Sequence, residues 1–142
     1  MKTVRQLLQA KSAALATVSP DATVREALEL MAAREVGAVL VVEGDRLVGL
    51  MSERDYARKV ILKGKASHET AVSEIMTERV MYAELDRTVP ECLALMSDKR
   101  IRHLPVLDQG RLVGIVSIGD LVKATIDEQE FIIRQLENYI TR

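Results

Sequence analysis

Arg46-Leu47-Val48-Gly49-Leu50-Met51-Ser52-Glu53-Arg54-Asp55 returns as Arg111-Leu112-Val113-Gly114-Ile115-Val116-Ser117-Ile118-Gly119-Asp120, 65 residues later and without a gap. The agreement extends outward until residues 23–58 lie on 88–123. Thr23, Val24, Glu26, Leu28, Leu30 and Met31 meet Thr88, Val89, Glu91, Leu93, Leu95 and Met96. Chance does not produce an ungapped match of this length, so the chain is an internal duplication.

Each copy has the same local pattern. A short strand (15–18, then 80–83) leads to a turn at Asp21 or Asp86. Thr23-x-x-Glu26 and Thr88-x-x-Glu91 then have the spacing of a capping box, in which hydroxyl and carboxylate each satisfy an orphan helix amide. Val24, Ala27, Leu28 and Met31 recur at the spacing of one buried helix face. Two β-rich runs follow, 38–42 with 46–51 and 103–107 with 111–116. They are joined by Glu43-Gly44-Asp45 and Asp108-Gln109-Gly110, which suit hairpin turns. A second helix starts at Ser52 or Ser117.

The fold class predicted is α+β: two β-α-β-β-α repeats. One three-stranded unit has too little core to stand alone, so the two are expected to pack sheet-to-sheet with pseudo-twofold symmetry. The expected divisions are an N-terminal helix (1–11), a first repeat (12–63), a linker (64–71), a second repeat (72–125) and a C-terminal helix extension (126–142). Residues 64–70 are polar and aperiodic, and His68 within them is expected to face solvent. Residues 72–76 read as one helical turn leading into the second repeat.

Composition narrows the function. The 142 residues are 48% hydrophobic and 29% charged, with a formal net charge of −1. That supplies a packed core and no basic excess for phosphate neutralisation, so nucleic acid is not an expected partner. No stretch approaches the ~20 apolar residues of a membrane span. Lys2, Arg5 and Gln6, then Lys11, interrupt any leader-like run, and a cytoplasmic location is expected. The single Cys92 sits in an apolar helical pattern and reads as a buried thiol. No Cys/His cluster has metal-ligand spacing, and no nucleophile–base pair stands at a recognisable separation. Neither a metal nor a catalytic residue is expected, and the chain does not read as an enzyme.

The chemistry lies in the shared form Gly-h-h-Ser-x-x-Asp, where h is apolar. Ser-x-x-Asp at a helix start can simply cap the helix. Both copies nevertheless keep Asp where a capping box favours Glu or Gln. The motif also sits at a strand-to-helix edge, where helix amides and the helix dipole attract phosphate. A carboxylate there can accept hydrogen bonds from the vicinal hydroxyls of a ribose. If Leu107 faces Arg111 in the second hairpin, Arg102 faces Val116, and Arg102 and His103 emerge beside Ser117. Arginine offers a planar fork to phosphate oxygens. Ser52, Arg54, Asp55, Arg102, His103, Ser117 and Asp120 are therefore the candidate ligand-binding residues.

These motifs resemble those of CBS-domain pairs, or Bateman modules, over about residues 12–125. The resemblance rests on Arg102-His103-Leu104-Pro105-Val106-Leu107-Asp108, on the two Gly-h-h-Ser-x-x-Asp endings and on Glu74-Ile75-Met76-Thr77. It implies a regulatory module binding an adenosyl nucleotide (AMP, ADP, ATP, NAD(H) or S-adenosylmethionine) in a cleft between the repeats. It further implies that Asp55 and Asp120 hold ribose hydroxyls and that Ser52 and Ser117 meet ribose or phosphate. Arg102-His103 takes the place of the phosphate-holding basic pair of the AMP-activated kinase γ subunit, in swapped order, and Arg54 can reach phosphate. The first repeat departs from the pattern, because Gly37-Ala38 replaces the basic pair. A ligand-free dimerisation or scaffold module is the alternative.

The second helix of the second repeat extends across 118–139, about 33 Å at 1.5 Å per residue. Ile132, Leu136, Tyr139 and Ile140 line one stripe of it, with Glu130, Arg134, Glu137 and Asn138 elsewhere. The stripe is expected to pack on a second subunit, making a homodimer, or on the chain's own Val4, Leu7 and Leu8. An unidentified effector protein is the other expected partner.

Overall fold

A computed structural model describes residues 2–10 and 15–141. The expected boundary between N-terminal helix and first repeat, at residues 11–12, lies outside the described residues. So do Lys11 of the leader argument and Arg142 of the C-terminal extension. The elements are α1 (Val4–Ala10), β1 (Thr17–Val18), α2 (Val24–Arg34), β2 (Ala38–Glu43), β3 (Arg46–Ser52), α3 (Glu53–Tyr56), α4 (Val72–Ile75), β4 (Ala83–Glu84), α5 (Val89–Lys99), β5 (His103–Asp108), β6 (Arg111–Ser117) and α6 (Ile118–Ile140). A π-helical turn, Ala57–Ile61, continues α3. The fold is α+β, with two three-stranded sheets ordered β1-β2-β3 and β4-β5-β6.

The duplication appears element by element. Thr23 and Thr88 cap α2 and α5, accepting the Glu26 and Glu91 amides at 3.1 and 3.2 Å. In α5 the box closes, with the Thr88 amide donating to Glu91 at 3.1 Å. That bond holds the Glu91 carboxyl below its usual pKa. In α2, Glu26 accepts from the Thr23 hydroxyl instead. Both helices end on a left-handed residue, Glu35 and Arg100, each with φ 54°. The amides of Val36 and Ile101 then return to the carbonyls of Met31 and Met96, closing the last turn. The hairpins differ: Gly44 alone takes positive φ in the first, whereas Gln109 and Gly110 both do in the second. The latter pair is the backbone of a type I′ turn.

One expectation about strands needs correction. The first strand of each repeat is only two residues long, because β1 and β4 each pair in parallel with just two residues of β2 and β5. The first hairpin is irregular: Val42 pairs with Leu47 and Glu43 with Arg46. A bulge between Val41 and Val42 then sets Ala38 opposite Ser52.

The chain divides into two compact units that do not follow sequence order. One joins the N-terminal segment to 82–107 and 114–142; the other comprises 13–81 with the hairpin tip 108–113. In the first of these, Val4 is fully buried with Val89, Cys92, Met96, Leu104, Val106, Val116, Leu121 and Ala124, and Leu7 and Leu8 pack against them. In the other, Val72 and Ile75 are buried with Val24, Ala27, Met31, Val39, Val41, Met51 and Val60. The turn expected to lead into the second repeat is helical, but its side chains belong to the core of the first.

This exchange is matched bond for bond. Val72 donates to Ala22 O at 2.8 Å and Val4 to Arg87 O at 2.9 Å. In return, Val24 donates to Thr70 O at 2.8 Å and Val89 to Lys2 O at 2.9 Å. Each lead-in segment thus satisfies an amide in the first turn of a helix in the other repeat. The linker takes part, since Ser67 O accepts the Arg25 amide and Thr70 is buried. Gly49 and Gly114 permit the close approach. A Cβ on Gly49 would stand 2.5 Å from Met76 Sδ and 3.1 Å from Thr77 O, and one on Gly114 2.7 Å from a Leu8 methyl.

Candidate functional site

Both Ser-x-x-Asp motifs form complete capping boxes. In the first repeat, the Asp55 amide donates to Ser52 Oγ at 3.2 Å and the Ser52 amide to Asp55 Oδ2 at 2.9 Å. In the second, the Asp120 amide donates to Ser117 Oγ at 3.1 Å and the Ser117 amide to Asp120 Oδ2 at 2.9 Å. Aspartate thus closes the box as well as glutamate does at Thr88, so its presence alone is no sign of a ligand.

The helices behind the caps differ. Ser52 opens four α-helical residues and a π-turn, whereas Ser117 opens 23. The charge environments differ too. Asp55 is buried, its Oδ1 lies 3.1 Å from Lys59 Nζ, and Lys59 also donates to Ile75 O at 2.9 Å. Position 124, the equivalent of Lys59, is a buried alanine. Asp120 therefore has no lysine one turn on, and it is only partly buried. Lys59 is the site residue that sequence reasoning missed. The signal was available, since Asp55 and Lys59 stand at i, i+4.

Arg102 and His103 reach the expected edge. The Ile118 amide donates to Arg102 O at 2.9 Å, which ties the start of β5 to the first turn of α6. Its counterpart is Glu53 N–H to Gly37 O at 3.0 Å. Arg102 is exposed and His103, the first residue of β5, is half-buried. Arg54 is likewise exposed. Among the described residues neither Arg102 nor Arg54 makes an ion pair. The second repeat thus gathers Ser117, Asp120, Arg102 and His103 at one sheet edge. The first gathers Ser52, Arg54 and Asp55 beside Gly37.

An open groove of about 550 Å³ is lined by Leu28, Met31, Val36, Glu35 and Glu53 among others. Two carboxylates in its lining repel a phosphate, so this groove does not extend the anion-binding edge. Cys92 is buried as expected, and burial raises its thiol pKa. His68 is exposed and lies 3.4 Å from Glu69. No group of metal-ligating side chains occurs among the described residues, and none of their helices is long and apolar enough to cross a membrane.

Two β-α-β-β-α units, each ending in a capped strand-to-helix edge, define the class: a duplicated α+β module. The CBS-domain family pattern matches residues 4–62 and 72–127, and the chain belongs to that family. A CBS-domain protein from Burkholderia ambifaria is 50% identical and superposes with a TM-score of 0.87, covering 90% of this chain and 96% of that one. The mitochondrial CBS domain-containing protein CBSX3 of Arabidopsis thaliana is 40% identical over 125 residues. That match takes in 84% of this chain and spans only 61% of that relative's length. A hexameric CBS-CP12 protein from bloom-forming cyanobacteria is 25% identical with a TM-score of 0.76, covering 85% of this chain and 66% of that one.

Proposed function

We propose that this chain is a regulatory sensor that binds an adenosyl nucleotide (AMP, ATP or NAD(H)) and relays the bound state to a partner protein. The observation that carries the reading is the edge of the second repeat. There the N-terminus of a 23-residue helix, a serine, a partly buried aspartate and an arginine with no ion pair among the described residues come together. Helix amides and guanidinium suit phosphate, and a carboxylate suits ribose hydroxyls. The first repeat contributes Ser52, Arg54 and Asp55 as the poorer site, since Lys59 already neutralises its carboxylate. The reading is of a binding module rather than an enzyme, with no metal, acting as a cytoplasmic homodimer. Self-association has support from the hexameric relative.

The closed capping boxes favour a second reading, a scaffold or dimerisation module without ligand, and one screen separates the two. A ligand that binds only the folded state adds RT ln(1 + [L]/Kd), about 2.7 kcal/mol at a hundredfold excess over Kd. Thermal unfolding with AMP, ATP, NAD or NADH should therefore show a midpoint raised by several degrees, with GMP and GTP inert. Equal response to adenosine and guanosine nucleotides, or no response, leaves the scaffold reading standing. Steady turnover of any of them overturns the non-catalytic assignment.

A further inference from the structure

The exposed stripe on α6 is longer and more regular than its last two turns suggest. Val122, Ile126, Gln129, Ile133, Leu136 and Ile140 follow one another at steps of 4, 3, 4, 3 and 4, the spacing of a coiled-coil seam. All are exposed; among the apolar members the exposure runs from 44% at Val122 through 52% at Ile133 to 78% at Ile140. Leu121 and Ala124, which fix α6 to its own core, lie on a different face, so that core leaves the seam open. The chain's own N-terminal helix does not cover it either: Val4 is buried in that core while Ile132 and Tyr139 stay 50% and 79% exposed beside the seam. The packing of this stripe on Val4, Leu7 and Leu8, held open from the sequence, is thereby excluded.

We infer that α6 pairs in parallel with α6 of a second copy of this chain, Gln129 meeting Gln129 across the twofold axis. The inference rests on the self-association proposed above and names its surface. Isoleucine at three a-type positions (126, 133 and 140), with Val122, Gln129 and Leu136 at the d-type positions, suits a two-stranded coil. Gln129 selects the occupant. Against an unrelated apolar face its amide would lose water and gain nothing, whereas a second Gln129 supplies both donor and acceptor. Parallel pairing also sets Glu130 and Glu137 opposite Thr125 and Ile132 rather than opposite carboxylates. The seam runs about 27 Å along the helix, at 1.5 Å per residue.

The test uses the full chain. By light scattering the parent should be a dimer, Ile133→Leu a dimer, and Ile133→Glu at least tenfold weaker in association; unchanged circular dichroism is expected, because Ile133 contributes nothing to the core. Under mild oxidation Gln129→Cys and Ile140→Cys should each cross-link at least tenfold faster than Asp127→Cys on the opposite face. An Ile133→Glu variant that keeps the parent's dimeric mass overturns the seam while leaving self-association intact. Cross-linking at 129 without cross-linking at 140 overturns the parallel arrangement. A monomeric parent overturns self-association itself.

Discussion

Val4→Asp is expected to destabilise the second repeat and leave the first nearly untouched, although Val4 precedes the first in the chain. Val4 is fully buried in the core built from α5, β5, β6 and α6. Around it, the amides of Val4, Arg5 and Val89 donate to Arg87, Leu85 and Lys2 carbonyls at 2.9–3.0 Å. A carboxylate in that position either stays buried and unpaired or forces α1 to undock, and undocking costs roughly the burial of a valine side chain, about 2–3 kcal/mol. Local opening should then be more frequent by a factor on the order of 30–150. Amide exchange reads this directly: faster at Leu104, Val106 and Val116, unchanged at Val39, Val41 and Met51. Acceleration in the first repeat instead would contradict the exchanged arrangement. Ile75→Asp is the mirror experiment and should reverse the pattern.

The second large effect concerns Asp120. Its carboxylate both closes the Ser117 cap and, in the proposed site, receives ribose hydroxyls, and two substitutions separate these roles. Asp120→Asn keeps a carbonyl oxygen for the Ser117 amide, so stability should fall by only a few tenths of a kcal/mol. Asp120→Ala removes the cap as well, at about 1 kcal/mol. Both remove charge-assisted hydrogen bonds of roughly 1.5–3 kcal/mol each, so AMP affinity should drop at least about tenfold in either variant. Asp55→Ala should cost less affinity, because Lys59 at 3.1 Å already occupies one of its oxygens. Affinity that follows stability, falling for Ala and not for Asn, would assign Asp120 to capping alone.

What the sequence made legible was whatever depends on residues close together in the chain. The duplication, the Thr88 capping box, both hairpin turns and the Ser-x-x-Asp helix starts are local patterns, and each appears where it was expected. The exchanged lead-in segments are a tertiary choice. Val4-x-x-Leu7-Leu8 and Val72-x-x-Ile75-Met76 share a spacing that a self-comparison extended past the ungapped match would have revealed. Nothing within either segment says which core it fills. The bulge at Val41–Val42 escaped for a related reason, since a continuous apolar run, Ala38-Val39-Leu40-Val41-Val42, fits a bulged and an unbulged register equally well. For the site, Arg102 stands beside Ser117 as expected, because the Ile118–Arg102 hydrogen bond brings them together. Asp55 and Asp120 looked equivalent in sequence. Lys59 makes them different.

The central claim is that a nucleotide carrying adenosine binds this module, and calorimetric titration of the intact chain tests it most directly. AMP, ATP, NAD, NADH and S-adenosylmethionine are each titrated into the parent and into Asp120→Asn. The account predicts a saturable heat in the parent for at least one of them, weakened at least about tenfold in the variant. Flat titrations for all five ligands, on protein shown to be folded by its thermal transition, would contradict it.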